Sequence, residues 1–202
     1  MGRGIFNFIF MIEDQRDWQR DARCHSNPFS CFFCHLLSIF NIKKVLDLNF
    51  GVGGFYEKCH DSLEVVGVDV RKWDWLVKPH RFIQADMIDA LNRLGERGEK
   101  FDAAVMDPPY NTVPSSKIKE SGRDYLYYGY VPFPKILKAI KIIKEKGIAN
   151  YVILKYMPTT VDEEIELLKM AKYRVMWRFV RFSIAANDNN KVIRNYTEIF
   201  II

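Results

Sequence analysis

Short runs of β-branched residues alternate with helical patterns from about residue 44 to the C-terminus, and that alternation leaves few folds open. Neighbouring parallel strands need a crossover, and helical crossovers cover both faces of the sheet they connect. The runs predict strands at 44–48, 64–69, 81–84, 103–106, 149–155, 174–182 and 196–202, with helices at 54–60, 87–97, 132–145 and 161–172. Thr160 stands ahead of Asp162, Glu163 and Glu164, a cap followed by acids where the helix dipole favours them. The last two strands are joined by the polar stretch 185–195, which has no helical pattern and so predicts an antiparallel hairpin. The expected fold is α/β: a Rossmann-like, seven-stranded, mostly parallel sheet with a reversed C-terminal strand and helices on both faces, over residues 43–202. Residues 1–42 are expected to form a helical segment that packs on this core.

A chain of 202 residues accommodates one such domain, and 49% hydrophobic residues suffice to fill its core. The net charge of +5 fits a polyanionic partner without requiring one, but its distribution says more, since residues 112–156 alone carry +6. No segment reaches the ~18 consecutive apolar residues of a membrane span. No small-residue cleavage site follows the short apolar run 5–12, so the expectation is a cytoplasmic protein without a membrane partner. Cys24, Cys31, Cys34 and Cys59 are expected to be free, with 31–42 a continuous apolar stretch that reads as a buried helix. A zinc site built from Cys24, Cys31 and Cys34 is the alternative left open; the main expectation is no metal.

Three acids close successive strands. The first strand, 44–48, runs into a turn holding Asn49, Phe50, Gly51 and Gly53, where glycine lets the backbone come close to a ligand. Asp69 closes the second strand, where an acid can accept from both hydroxyls of a ribose. Asp86 closes the third and could accept from an adenine amino group, cap the helix that starts at Met87, or do both.

The fourth strand ends in Asp107-Pro108-Pro109-Tyr110. Two prolines fix φ twice and remove two donors, so the Asp107 carboxylate and the Pro108 carbonyl stand as rigid acceptors suited to an NH2 group. Accepting both hydrogens of an exocyclic amine pushes its nitrogen towards a nucleophilic, tetrahedral geometry. Tyr110 can stack on the flat ring that carries the amine. A paired structural acid is the competing role for Asp107, and its place before two prolines argues against it. Lys155, at the end of the fifth strand, reads as a solvated lysine ahead of a phosphate contact.

This ordered set of Asp47 to Gly53, Asp69, Asp86 and Asp107 to Tyr110 resembles the class I S-adenosylmethionine-dependent methyltransferases, and among them the amino-methyltransferases that modify N6 of adenine or N4 of cytosine. The resemblance covers residues 43–202 and implies S-adenosylmethionine as cofactor, held by Asp47, Asn49, Phe50, Gly51, Gly53, Asp69, Val70, Asp86 and Met87. It implies that Asp107, Pro108, Pro109 and Tyr110 face the methyl group, and that a segment such as 26–29 lies against the methionine end of the cofactor. Asn49 stands where many members have Gly. No dedicated general base is needed, because catalysis is mainly alignment of nitrogen, methyl and sulfur.

The stretch 111–131 interleaves basic and aromatic residues, and its Asn111, Lys117, Lys119, Arg123, Tyr125, Tyr127 and Tyr128 suit phosphates and unstacked bases. Tyr196 is a further candidate for holding the base, with Lys191 and Arg194 extending the surface. The partner expected is nucleic acid, DNA ahead of RNA, with adenine N6 as the favoured target. Because little chain remains for a reading domain, specificity would be short, or come from homodimerisation or a second protein. An RNA amino-methyltransferase acting on guanine N2 or adenine N6 is the closest alternative. A protein-glutamine methyltransferase and a non-catalytic cofactor-binding module stand further off.

Overall fold

The computed structural model describes residues 8–12, 27–109, 131–181 and 193–202. Its strands are β1 (Phe8–Ile12), β2 (Lys44–Asp47), β3 (Glu64–Asp69), β4 (Arg81–Gln84), β5 (Phe101–Met106), β6 (Ala149–Lys155), β7 (Tyr173–Arg181) and β8 (Ile193–Ile201). The helices are α1 (Pro28–Ile39), α2 (Met87–Glu96), α3 (Phe133–Glu145) and α4 (Val161–Met170). The strands form one sheet in the order β1-β7-β8-β6-β5-β2-β3-β4. Strand β8 runs antiparallel to β6 and β7, and every other pairing is parallel. The mostly parallel Rossmann-like sheet and its reversed last strand are therefore as the sequence pattern predicts.

Strand β1 is an addition. The run 5–12 lies within the stretch expected to be helical, yet Phe8–Ile12 forms an edge strand in parallel register with Tyr173 to Trp177. Residues Phe8 to Ile12 are consecutive and mostly apolar, the composition of a strand as much as of a helix, and five residues are too few for periodicity to separate the two.

Burial alternates along the central strands. Leu46, Val66, Ala104 and Leu154 join the core under α2 and α3. Val45, Val65, Ala103, Val105 and Ile153 join the core under α1. Because side chains on a strand alternate with period two, Asp47 follows Val45 to the α1 face. By the same parity Asp69, Asp107 and Lys155 leave their strands on that face too.

The helix starts carry their own causes. Asp86 caps α2 by accepting from Ile88 N (2.9 Å). Thr160 caps α4 by accepting from Glu163 N (3.2 Å). Asn27 caps α1 by accepting from Ser30 N (3.1 Å), with Pro28 next in the first turn. The helix expected at 54–60 is instead two short 3-10 turns, Gly54–Tyr56 and His60–Ser62. Carbonyls that a helix would use internally are taken from outside: Asn27 Nδ2 donates to Gly54 O (3.0 Å) and Ser30 Oγ to Phe55 O (2.9 Å).

Cys31, Cys34 and Cys59 are not free. Cys34 on α1 is bonded to Cys59, with Cα atoms 5.7 Å apart, and Cys31 is also disulfide-bonded. Ser30 and Cys34 sit one helical turn apart and both face residues 54–59, which is how α1 presents its sulfur to Cys59. The free-thiol expectation is thus corrected, and with it the zinc alternative, since disulfide sulfurs are not thiolate ligands. No helix among the described residues is long and apolar enough to cross a membrane.

Candidate functional site

Four ionisable side chains converge at the carboxyl ends of β3, β2, β5 and β6, on the face covered by α1. In an open α/β sheet that end is where ligands bind. The turn after β2 reaches it through two glycines in left-handed backbone, Gly51 at φ 55° and Gly53 at φ 79°. At Gly53 the steric reason is direct: a Cβ would stand 2.3 Å from the Val77 carbonyl oxygen and 2.8 Å from the Phe50 ring. Phe50 is 4% exposed and stacks on Tyr56 at 5.9 Å, so its ring belongs to the core and only its backbone borders the turn.

Asp69 closes the turn from the neighbouring strand. Its Oδ2 accepts from Gly51 N (3.0 Å) and its Oδ1 from Arg71 N (3.1 Å). Each carboxylate oxygen keeps a further lone pair for a ligand hydroxyl. Asn49 contributes a buried Oδ1 that has no hydrogen-bond partner among the described residues. Val70 is exposed, whereas Met87 is buried in the α2 core and offers a ligand only its backbone.

Asp47 lies beneath the turn, 3% exposed, and accepts from Asn49 N (2.9 Å) and from Tyr56 Oη (2.8 Å). Burial is the main cause that lifts its carboxyl from 3.8 to about 7, against the lowering effect of those two hydrogen bonds. Burial, with the adjacent Asp47, also raises the Tyr56 phenol well above its usual range. Tyr56 had no signal in the motif, being merely an aromatic in a predicted helix.

Asp86 serves as the α2 cap and also accepts from Lys135 Nζ. Burial pushes its carboxyl up, but the hydrogen bonds from Lys135 and Ile88 outweigh that and hold it below the usual value. Any contact with a ligand would share oxygens already in use.

Asp107 follows β5 directly, with Pro108 buried behind it and the Pro109 carbonyl accepting from Val131 N (3.0 Å). Its carboxylate is paired. Lys155 Nζ lies 2.8 Å from Oδ1 and 2.9 Å from Oδ2. The solvated-lysine expectation for Lys155 is therefore corrected, since its side chain is 18% exposed, and so is the expectation that Asp107 stands unpaired. The register explains the meeting: Met106 pairs with Leu154, so the next residue of each parallel strand emerges beside the other. The rings of Phe29 and Phe55 are 4.8 Å apart, and the Lys155 ammonium is 5.5 Å from each.

Helix α1 is anchored against this end of the sheet. Besides Asn27 and the Cys34–Cys59 bond, Lys58 N donates to Ser30 Oγ (3.1 Å). Segment 27–29 thus stands over the glycine turn, and Phe29 borders the Asp107–Lys155 pair. Tyr110, Asn111, Lys117, Lys119, Arg123, Tyr125, Tyr127, Tyr128 and Lys191 lie outside the described residues. Tyr196 is in β8, in register with Arg178. Among the described residues no cluster of three or more His, Cys, Asp or Glu is arranged for a metal ion.

No family model matches the chain, and no curated protein matches it. Solved structures do. An S-adenosylmethionine-dependent methyltransferase from Agrobacterium tumefaciens superposes with a TM-score of 0.55 at 17% identity, over 85% of this chain. The chain covers 59% of that protein's length. An S-adenosylmethionine-dependent methyltransferase from Archaeoglobus fulgidus has a TM-score of 0.49 at 12% identity, covering 90% of this chain and 100% of its own. A structure described as a putative RNA methyltransferase from Pyrococcus horikoshii has a TM-score of 0.47 at 14% identity, covering 96% of this chain and 91% of its own. At these identities the likeness is one of fold.

Proposed function

We propose that the chain binds S-adenosylmethionine over the ends of β2 and β3 and methylates the exocyclic amino group of a nucleobase, with N6 of adenine in DNA as the target. The observation that carries this reading is Asp107, a carboxylate placed directly after β5 and before two prolines, at the same end and on the same face of the sheet as Asp69 and beside the glycine turn. The residues at the turn fit the cofactor: Asn49 Oδ1 has no partner among the described residues, and Asp69 has lone pairs for a diol. When bound, that cofactor supplies a methyl group activated by a sulfonium.

The chain's own residues then bind, orient and exclude water. Asp69 takes the ribose hydroxyls and the backbone of 49–53 takes the methionine portion. Asp107 accepts one amine hydrogen, and the adjoining Pro108 carbonyl accepts the second. Tyr110 covers the base, and the basic, tyrosine-rich stretch 111–131 holds the phosphates. A cytoplasmic setting belongs to the same proposal.

Two measurements test these parts separately. Asp69→Ala is expected to weaken S-adenosylmethionine by ~1–3 kcal/mol in calorimetry, from loss of charged hydrogen bonds. An unchanged dissociation constant removes Asp69 from the ribose. The affinity for a DNA duplex is expected to fall steeply and linearly in log salt, as lysine and arginine contacts to phosphate release counterions. A flat profile between about 50 and 200 mM salt points instead to a protein or small-molecule substrate.

A further inference from the structure

The resemblance to amino-methyltransferases assigns nothing to Lys155. Yet this lysine is held on three sides: by both oxygens of Asp107 at 2.8 and 2.9 Å, by the Phe29 ring of α1, and by the Phe55 ring after the glycine turn, each ring centroid 5.5 Å away. A long, flexible side chain loses considerable rotamer freedom in such a setting, and a solvated strand-end lysine has no reason to accept that loss. Its partner is the acceptor on which the proposed reaction turns. The ammonium carries three donors and can meet both Asp107 oxygens in one plane, leaving the outer lone pairs free for a substrate amine.

We propose that Lys155 is a positioning residue for methyl transfer, one that orients the Asp107 carboxylate and keeps it in its ionised, hydrogen-accepting form. This rests on the role given to Asp107 above. The surrounding charges make the lysine necessary. Burial pushes the Asp107 carboxyl up, and Lys155 is what opposes it, through its charge and its hydrogen bonds. Among the described residues, two acids stand near this point: Asp47 on β2, whose own carboxyl feels Asp107 and Asp69, and Asp69 on β3. With the lysine removed, burial and like charge both favour a protonated Asp107, which donates where the reaction needs an acceptor.

The decisive experiment is a 13C-carboxyl NMR titration of the full chain without cofactor or substrate, the Asp107 signal being assigned by its loss in Asp107→Asn. In Lys155→Met the Asp107 midpoint is expected to rise by about one pH unit or more, while Lys155→Arg keeps it near the native position. Lys155→Gln, uncharged but still polar, gives the same comparison where the methionine variant does not fold. An Asp107 midpoint unmoved in the uncharged variants overturns the proposal. In turnover, the acidic limb of the kcat/KM profile is expected to move to higher pH by the same amount, with S-adenosylmethionine affinity retained. A merely structural lysine would lower the melting temperature and leave that limb in place. Should the midpoint move as expected while no nucleic acid accepts a methyl group, the ion-pair assignment holds and the nucleobase reading falls.

Discussion

Asp107→Ala is expected to lose methyl transfer by about 10²–10³-fold in kcat or more, the scale seen when one oriented group that acts in the transition state is removed. S-adenosylmethionine binding is expected to survive, because the turn at Gly51 and Gly53 and the Asp69 carboxylate do not depend on Asp107. The effect is large because the amine nitrogen gains positive charge as it is methylated, and an acceptor already in place follows that charge without reorganisation. The substitution also strips Lys155 of its carboxylate in a site where its side chain is 18% exposed, so some stability is lost with the activity. Asp107→Asn separates the two, keeping one acceptor oxygen and the shape of the site. It is expected to remain folded and to retain a small part of the rate. Undiminished turnover in the alanine variant would remove Asp107 from the mechanism.

The second large effect is on stability. Asp47→Asn is expected to make the protein more stable at pH 8 by about 4 kcal/mol, with the gain shrinking towards zero near pH 4. The sign follows from proton binding. Asp47 titrates at about 7 in the fold against 3.8 ordinarily, so between those values the folded chain holds a proton that the unfolded chain has released. Stability therefore falls as pH rises through that window, and above about 7 the full cost of a buried carboxylate is present. Asparagine removes the charge: its oxygen still accepts from Asn49 N, and towards Tyr56 the hydrogen bond is reversed, the amide donating to Oη. Denaturant unfolding of both proteins at several pH values measures the difference directly, other titrating groups being common to both. A gap that does not change between pH 5 and 8 would show that Asp47 is not held near neutrality.

The fold was legible because its signals are local. Seven of the eight strands are runs whose composition marks them, and the caps Asp86 and Thr160 stand where the helix starts require. What lay hidden depends on residues far apart in sequence. Nothing in the neighbourhood of Cys34 announces Cys59, and nothing near Tyr56 announces that its hydroxyl meets Asp47. The pairing of Lys155 with Asp107 is an intermediate case. Both close adjacent parallel strands, so parity and register together place them side by side, but register cannot be read before the strands are paired. The edge strand β1 was obscured because five apolar residues suit a strand and a helix alike. The glycine turn and the three strand-end acids were legible as positions, whereas their hydrogen-bond partners were not.

The central claim is that this fold carries methyl transfer to a nucleobase amine. Transfer of labelled methyl from S-adenosylmethionine to duplex DNA, single-stranded DNA and total RNA, assayed in parallel and followed by nucleoside mass spectrometry, tests it most directly. The expected product is N6-methyldeoxyadenosine, dependent on Asp107. The same product only in ribonucleosides would move the substrate to RNA, and no methylated nucleoside from any of the three, with cofactor binding demonstrated, would contradict the account.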